Sequence, residues 1–119
     1  IVAREVGIEP IWVCPLQQRD RTARWPLYEF DPEVLYVNVG FWSTVPLPEG
    51  VDPEEGRGNR RVEQVVTELD GRKSLYSTAF YDRETFWSIY GGDEYSRLKS
   101  LYDPQRRLRG LYEKVVEGK

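Results

Sequence analysis

Residues 71–104 read GRKSLYSTAFYDRETFWSIYGGDEYSRLKSLYDP, and this stretch limits the possible folds more than any other part of the chain. Its aromatic side chains sit between clear helix start and stop signals. Asp82 suits the N-cap of a helix over 83–90, because its carboxylate can accept from the unpaired N–H groups of the first turn. Tyr81 and Phe86 stand at the N′ and N4 spacing of a hydrophobic staple. Glu84 falls in the first turn, where the helix dipole favours an anion. Gly91-Gly92 closes this helix. Asp93 is placed to cap the next, whose buried side is expected to be Tyr95, Leu98, Leu101 and Tyr102. Asp103-Pro104 stops that helix, since a residue before proline leaves the helical region.

Upstream, Val62, Val65, Val66 and Leu69 follow the i, i+3, i+4, i+7 spacing of one apolar helical stripe, which predicts a helix over 59–70. Gly71 is expected to end it in the left-handed conformation. Asp52, Pro53 and Glu55 suit an earlier helix start, although Gly56 and Gly58 oppose continuity. Residues 73–80 alternate as a strand, with Ser74, Tyr76, Thr78 and Phe80 on one face. Residues 11–16 read as a short strand in which Pro15 cannot donate to a ladder. The best strand is 34–42. Leu35, Val37, Val39 and Phe41 share an apolar face expected to meet the helices, and Tyr36, Asn38, Gly40 and Trp42 share a mixed one. Residues 17–33 read as a loop. The order β-β-α-β-α-α gives an α+β fold, an antiparallel sheet with helices packed on one face. The chain is expected to form a single domain over 1–119.

Composition excludes several functions. The net charge of −3, from 17 basic and 20 acidic residues, lacks the basic excess that drives phosphate binding, so nucleic acid is not an expected partner. No apolar run approaches the ~20 residues of a membrane-spanning helix. With no histidine, Ser-His-Asp and Cys-His catalytic units are excluded within these 119 residues, and no metal site is expected. Cys14 is the single cysteine, so it has no intrachain disulfide partner; it is expected to be a small buried hydrophobe. The chain starts Ile-Val-Ala-Arg and contains no Met, which suggests part of a longer polypeptide with its missing portion upstream.

The remaining chemical side chains are Tyr, Lys, Arg, Asp and Glu. Tyr76 is the leading candidate for a catalytic group, because a phenol can donate a hydrogen bond or a proton to a substrate oxygen. Lys73 would add positive charge close to the same site. Asn38 on the mixed strand face is a candidate ligand contact, and Tyr81 lies beside the candidate site. Each has a plainer alternative: a packed tyrosine for Tyr76, an exposed strand-start lysine for Lys73, a local backbone bond for Asn38 and the staple for Tyr81. No Gly-rich phosphate cradle is present; GRGNR at 56–60 matches no dinucleotide fingerprint.

Several ordered pieces resemble the C-terminal segment of the delta(24)-sterol reductase, or Diminuto-like, branch of the FAD-linked oxidoreductases in the vanillyl-alcohol-oxidase superfamily. They are Trp-Val-Cys-Pro-Leu at 12–16, Leu-Tyr-Val-Asn-Val-Gly at 35–40, Gly-Arg-Lys-Ser-Leu-Tyr at 71–76 and Tyr-Asp-Arg-Glu-Thr-Phe-Trp at 81–87. Tyr-Ser-Arg-Leu-Lys at 95–99, Tyr-Asp-Pro at 102–104 and Leu-Tyr-Glu-Lys-Val at 111–115 continue the series. More loosely, 71–115 resembles the aldonolactone oxidase group. The His-Trp-x-Lys motif of that group is replaced here by Ser74, Leu75, Tyr76 and Ser77, so its chemistry is not carried over.

The resemblance implies a two-domain parent in which an upstream domain binds FAD and a C-terminal cap covers the flavin and shapes the substrate site. It also implies reduction of a carbon–carbon double bond in a sterol-like or other lipid substrate, with NADPH as electron source. By itself the chain would be inactive. A cytoplasmic or peripherally membrane-associated location fits the resemblance. The rival expectation is a free-standing α+β ligand-binding or interaction module without flavin.

Overall fold

A computed structural model describes residues 4, 7–44, 46, 49–50 and 56–118. The possible helix start at Asp52, Pro53 and Glu55 lies outside the described residues. The fold is α+β: strands β1 (Ile11–Leu16) and β2 (Tyr36–Phe41), then helices α1 (Arg57–Glu68), α2 (Arg83–Ile89), α3 (Gly92–Tyr102) and α4 (Leu111–Val115). The chain divides into two compact units, one within residues 1–23 and 30–58, the other within 24–29 and 59–119.

The first unit is built on an antiparallel hairpin. Its register sets Ile11 opposite Phe41, Val13 opposite Val39 and Pro15 opposite Val37 on one face; Trp12 opposite Gly40, Cys14 opposite Asn38 and Leu16 opposite Tyr36 form the other. The alternation expected for β2 is therefore correct. Its expected burial is not: Leu35, Val37 and Val39 are exposed, as is Val13 opposite them on β1. On the other face, the Trp12 indole occupies the space where a Cβ on Gly40 would sit. Trp12 also meets Trp42 edge-on, with centroids 5.9 Å apart, and Phe30 packs edge-on against Tyr36 at 4.8 Å. Cys14 is exposed rather than buried.

The second unit has an aromatic core of Ala79, Tyr81, Phe86, Tyr90, Tyr112 and Val115. Asp82 caps α2, accepting from the Thr85 N–H at 2.9 Å and the Thr85 hydroxyl at 2.8 Å. This places Tyr81 and Phe86 together in the core, as the staple spacing requires. Phe86 then packs against Tyr90, Trp87 and Tyr112 with centroids 4.9, 4.8 and 5.2 Å apart, distances at which ring quadrupoles add to burial.

Three expectations need correction. The left-handed residue ending α1 is Asp70, with φ 55°, and not Gly71. The Gly71 N–H reaches the Val66 carbonyl at 2.7 Å and the Asp70 N–H reaches that of Thr67 at 3.0 Å, which makes a Schellman closure with an aspartate at the C′ position. Asp93 lies inside α3; the N-cap is Gly91, left-handed at φ 60° and closely approached by the Pro26 carbonyl. On α3, Tyr95 and Leu98 are half-buried, whereas Leu101 and Tyr102 are exposed.

The largest correction concerns 73–80, which does not form the expected third strand. Its backbone groups are taken by partners other than a ladder. The Tyr90 hydroxyl donates to the Lys73 carbonyl at 2.7 Å, and the Lys73 ammonium donates to the Thr78 carbonyl. The Ala79 N–H donates to the Val115 carbonyl at 2.8 Å, and the Phe80 N–H donates to the Glu63 carboxylate. Buried backbone groups must be paired, and here side chains and α4 satisfy them.

Candidate functional site

The sequence candidates fall in three places. Asn38 is in the hairpin unit, exposed and opposite Cys14. Tyr76 stands at a turn and is 79% exposed. Lys73 and Tyr81 lie in one buried polar cluster of the second unit, assembled around Glu63 on α1.

Glu63 is only 4% exposed although it lies to one side of the valine stripe of α1. Its carboxylate receives three contacts: the Lys73 ammonium at 2.7 Å and the Phe80 N–H at 3.2 and 3.1 Å to the two oxygens. The Lys73 and Glu63 side chains are 15% and 5% exposed. Lys73 is therefore not a free surface charge; it is one half of a near-neutral buried pair. Such a pair contributes little net stability over an apolar replacement, but removing one partner strands the other charge.

Tyr81 lies near enough to the same carboxylate to feel its charge. It is 9% exposed, and its hydroxyl makes no full hydrogen bond among the described residues. The Thr67 and Tyr90 hydroxyls are its polar neighbours. Thr67 spends its proton on the Glu63 carbonyl at 2.9 Å, and Tyr90 spends its own on the Lys73 carbonyl at 2.7 Å. Tyr81 can consequently act toward them only as a donor. Burial pushes the Tyr81 phenol above its ordinary range, and the Glu63 charge pushes the same way. Burial raises the Tyr90 phenol as well, followed by the neighbouring Tyr81 and Tyr28. Both rings thus stay protonated donors through neutral and mildly alkaline pH.

Tyr76 is held differently. Its neighbour Leu75 packs against the aromatic core, while the chain on either side is fixed by the bonds to Lys73, Thr78, Ala79 and Phe80 described above. An exposed phenol therefore projects from a turn anchored at both ends. Glu63 and Tyr90, which organise this arrangement, were not among the residues expected from sequence. Helical periodicity gave no signal for Glu63, which stands to one side of the Val62, Val65 and Val66 stripe.

The hollow between α2 and α3, lined by Trp87, Ser88, Gly91, Gly92, Asp93 and Ser96, is open to solvent. Asp93 and Glu94 occupy the first turn of α3, so a phosphate there would meet carboxylates rather than the bare N–H groups of an anion site. Among the described residues, no group of three or more His, Cys, Asp or Glu side chains could hold a metal ion, and no helix is long and apolar enough to cross a membrane.

Comparison with known proteins finds similarity over nearly the whole chain to delta(24)-sterol reductases. The rat and human proteins are 25% and 24% identical over 114 residues, covering 96% of this chain and 21% of theirs. The Arabidopsis thaliana protein is 21% identical over 131 residues, covering 99% of this chain and 23% of its own. The chain thus spans about a fifth of the length of these curated relatives. No family model and no solved structure matches it. The similarity supports a sterol-reductase-like relationship and oxidoreductase parentage.

Proposed function

We propose that this chain is the C-terminal substrate-facing, or cap, segment of an FAD-dependent oxidoreductase that reduces a carbon–carbon double bond in a sterol-like or other lipid substrate. The observation that carries this reading is the similarity to delta(24)-sterol reductases across 96% of the chain. The exposed, anchored Tyr76 and the polar cluster behind it accord with a surface that meets a ligand.

The described residues do not fit FAD as a resident group. The α2–α3 hollow carries carboxylates at the nearest helix start, and no glycine-rich cradle occurs in the sequence. In this proposal FAD is held by a domain outside the chain, and NADPH is the electron source. The part taken by the second unit is orientation: Tyr76 donates a hydrogen bond to substrate, and Lys73 and Tyr81 shape the support behind Tyr76; Asn38 is proposed separately, as a ligand contact of the hairpin unit. Positioning of this kind lowers a barrier through pre-organisation rather than through chemistry of its own.

The test is to delete this segment from the natural gene product that contains it. The expected result is a protein that still binds flavin but no longer turns over a sterol bearing a C24 double bond. Full turnover without the segment contradicts the proposal. A natural product close to this length, folded and free of flavin, supports a stand-alone binding module instead.

A further inference from the structure

We infer that Glu63 is a positioning residue for Tyr76: its carboxylate pins the base of the 73–80 segment, so that the Tyr76 phenol is presented to substrate from a fixed place. For its substrate this inference rests on the oxidoreductase reading above; for the pinned segment it rests only on the geometry of the second unit.

The segment has no strand ladder to hold it, yet both of its ends converge on one side chain. Lys73, at the start, reaches Glu63 at 2.7 Å and also bonds the Thr78 carbonyl. Phe80, at the end, donates its N–H to the same carboxylate. A single buried anion therefore closes an eight-residue excursion, and the Lys73–Thr78 bond ties across it. Three further contacts brace the base. The Tyr90 hydroxyl holds the Lys73 carbonyl at 2.7 Å, Ala79 bonds Val115 at 2.8 Å, and the Arg60 guanidinium reaches the Phe80 carbonyl at 3.3 Å. Leu75 supplies an apolar anchor next to the tip. Between these ties Tyr76 is 79% exposed. A flexible loop with an exposed tyrosine would lose conformational freedom on binding; one pinned at its base has lost most of it in folding. That makes a buried ion pair worth keeping for geometry where it contributes little to stability.

Hydrogen exchange across 73–80 in the natural full-length protein reads the pin directly and needs no substrate. Glu63→Gln keeps an acceptor for the Phe80 N–H but loses the charge that holds Lys73; Glu63→Ala removes both. In Glu63→Ala, exchange at residues 78–80 is expected to rise about tenfold or more, and in Glu63→Gln by less, while α2 and α3 keep their protection. Unchanged exchange at 78–80 overturns the pin. If Glu63→Ala loses protection throughout the second unit, the Glu63→Gln result decides.

A double-mutant cycle with NADPH and a sterol bearing a C24 double bond reads the positioning, with kcat and KM measured separately. Tyr76→Phe is expected to lower kcat/KM about tenfold in the otherwise unchanged protein. In Glu63→Gln it is expected to cost less than about threefold, because the tyrosine is no longer held in place. A Tyr76→Phe penalty undiminished by Glu63→Gln overturns the positioning role. If the unmodified protein turns over no such sterol, the oxidoreductase reading falls, and exchange at 78–80 still decides the pin.

Discussion

The hairpin unit and the helical unit both carry many apolar side chains and use them to different ends. In the helical unit, Phe86 and Tyr90 are fully buried, and Tyr81, Tyr112 and Val115 close around them. In the hairpin, Trp12, Val13, Val37, Val39 and Trp42 are all exposed. Apolar content therefore says little about where a core forms. What marks the helical unit is connectivity: the capped turn before α2 and the Glu63 pin tie segments distant in sequence to one another. A two-stranded hairpin is marginal as an isolated structure.

The sharpest way to break this contrast is Phe86→Ala. It empties the centre of the aromatic cluster and should cost about 3–5 kcal/mol in chemical denaturation followed by circular dichroism. A cost below about 1 kcal/mol would mean that the second unit has no cooperative core. Next comes Glu63→Ala, which strands the Lys73 ammonium and orphans the Phe80 N–H, with an expected cost of about 3 kcal/mol. Replacing both partners, as Glu63→Leu with Lys73→Met, should recover the part of that loss due to the stranded charge, while the Phe80 N–H stays unpaired.

Alkaline titration probes the same cluster by another route. The Tyr81 and Tyr90 phenols are raised above their ordinary value of 10.0 by burial. Between that value and the folded one, the native state binds more protons than the unfolded state, so stability falls as pH rises. The stabilisation is complete below about pH 10 and is expected to decline above it, seen as a falling melting midpoint. Tyr81→Phe with Tyr90→Phe should flatten this decline. Asp103 works in the opposite sense: the Lys99 hydrogen bond, with the N–H groups of Leu108 and Arg107, holds its carboxyl below the usual value of 3.8. Its contribution is present above about pH 4 and is lost as pH falls further, so Asp103→Asn should weaken that acid dependence.

The smallest expected effect is in the hairpin. Val39→Thr on the exposed apolar face should change stability by less than about 0.5 kcal/mol. A cost several times larger would mean that this face is covered by another surface and would remove the contrast between the units.

How much was legible in the sequence depends on the range of the interactions involved. The α2 cap and staple, the Asp-Pro stop after α3 and the alternation of β2 are local, and their residues declared them. The third strand was misread because period-two alternation at 73–80 cannot reveal that Glu63, Tyr90 and Val115 take its backbone groups from 17 to 36 positions away. Gly71 looked like the left-handed residue because glycine is the usual choice, yet Asp70 took that position and Gly71 the close approach to Val66. Lys73 and Tyr81 were marked from sequence, but Glu63, which stands beside the Val62, Val65, Val66 and Leu69 stripe, was not.

The measurement that bears most directly on the proposed function is the visible absorption spectrum of the natural full-length protein, recorded anaerobically while NADPH and then a sterol bearing a C24 double bond are added. The expected result is a flavin spectrum that bleaches with NADPH and returns with the sterol. A folded, colourless protein, or a flavin that the sterol fails to reoxidise, would contradict the proposed reaction.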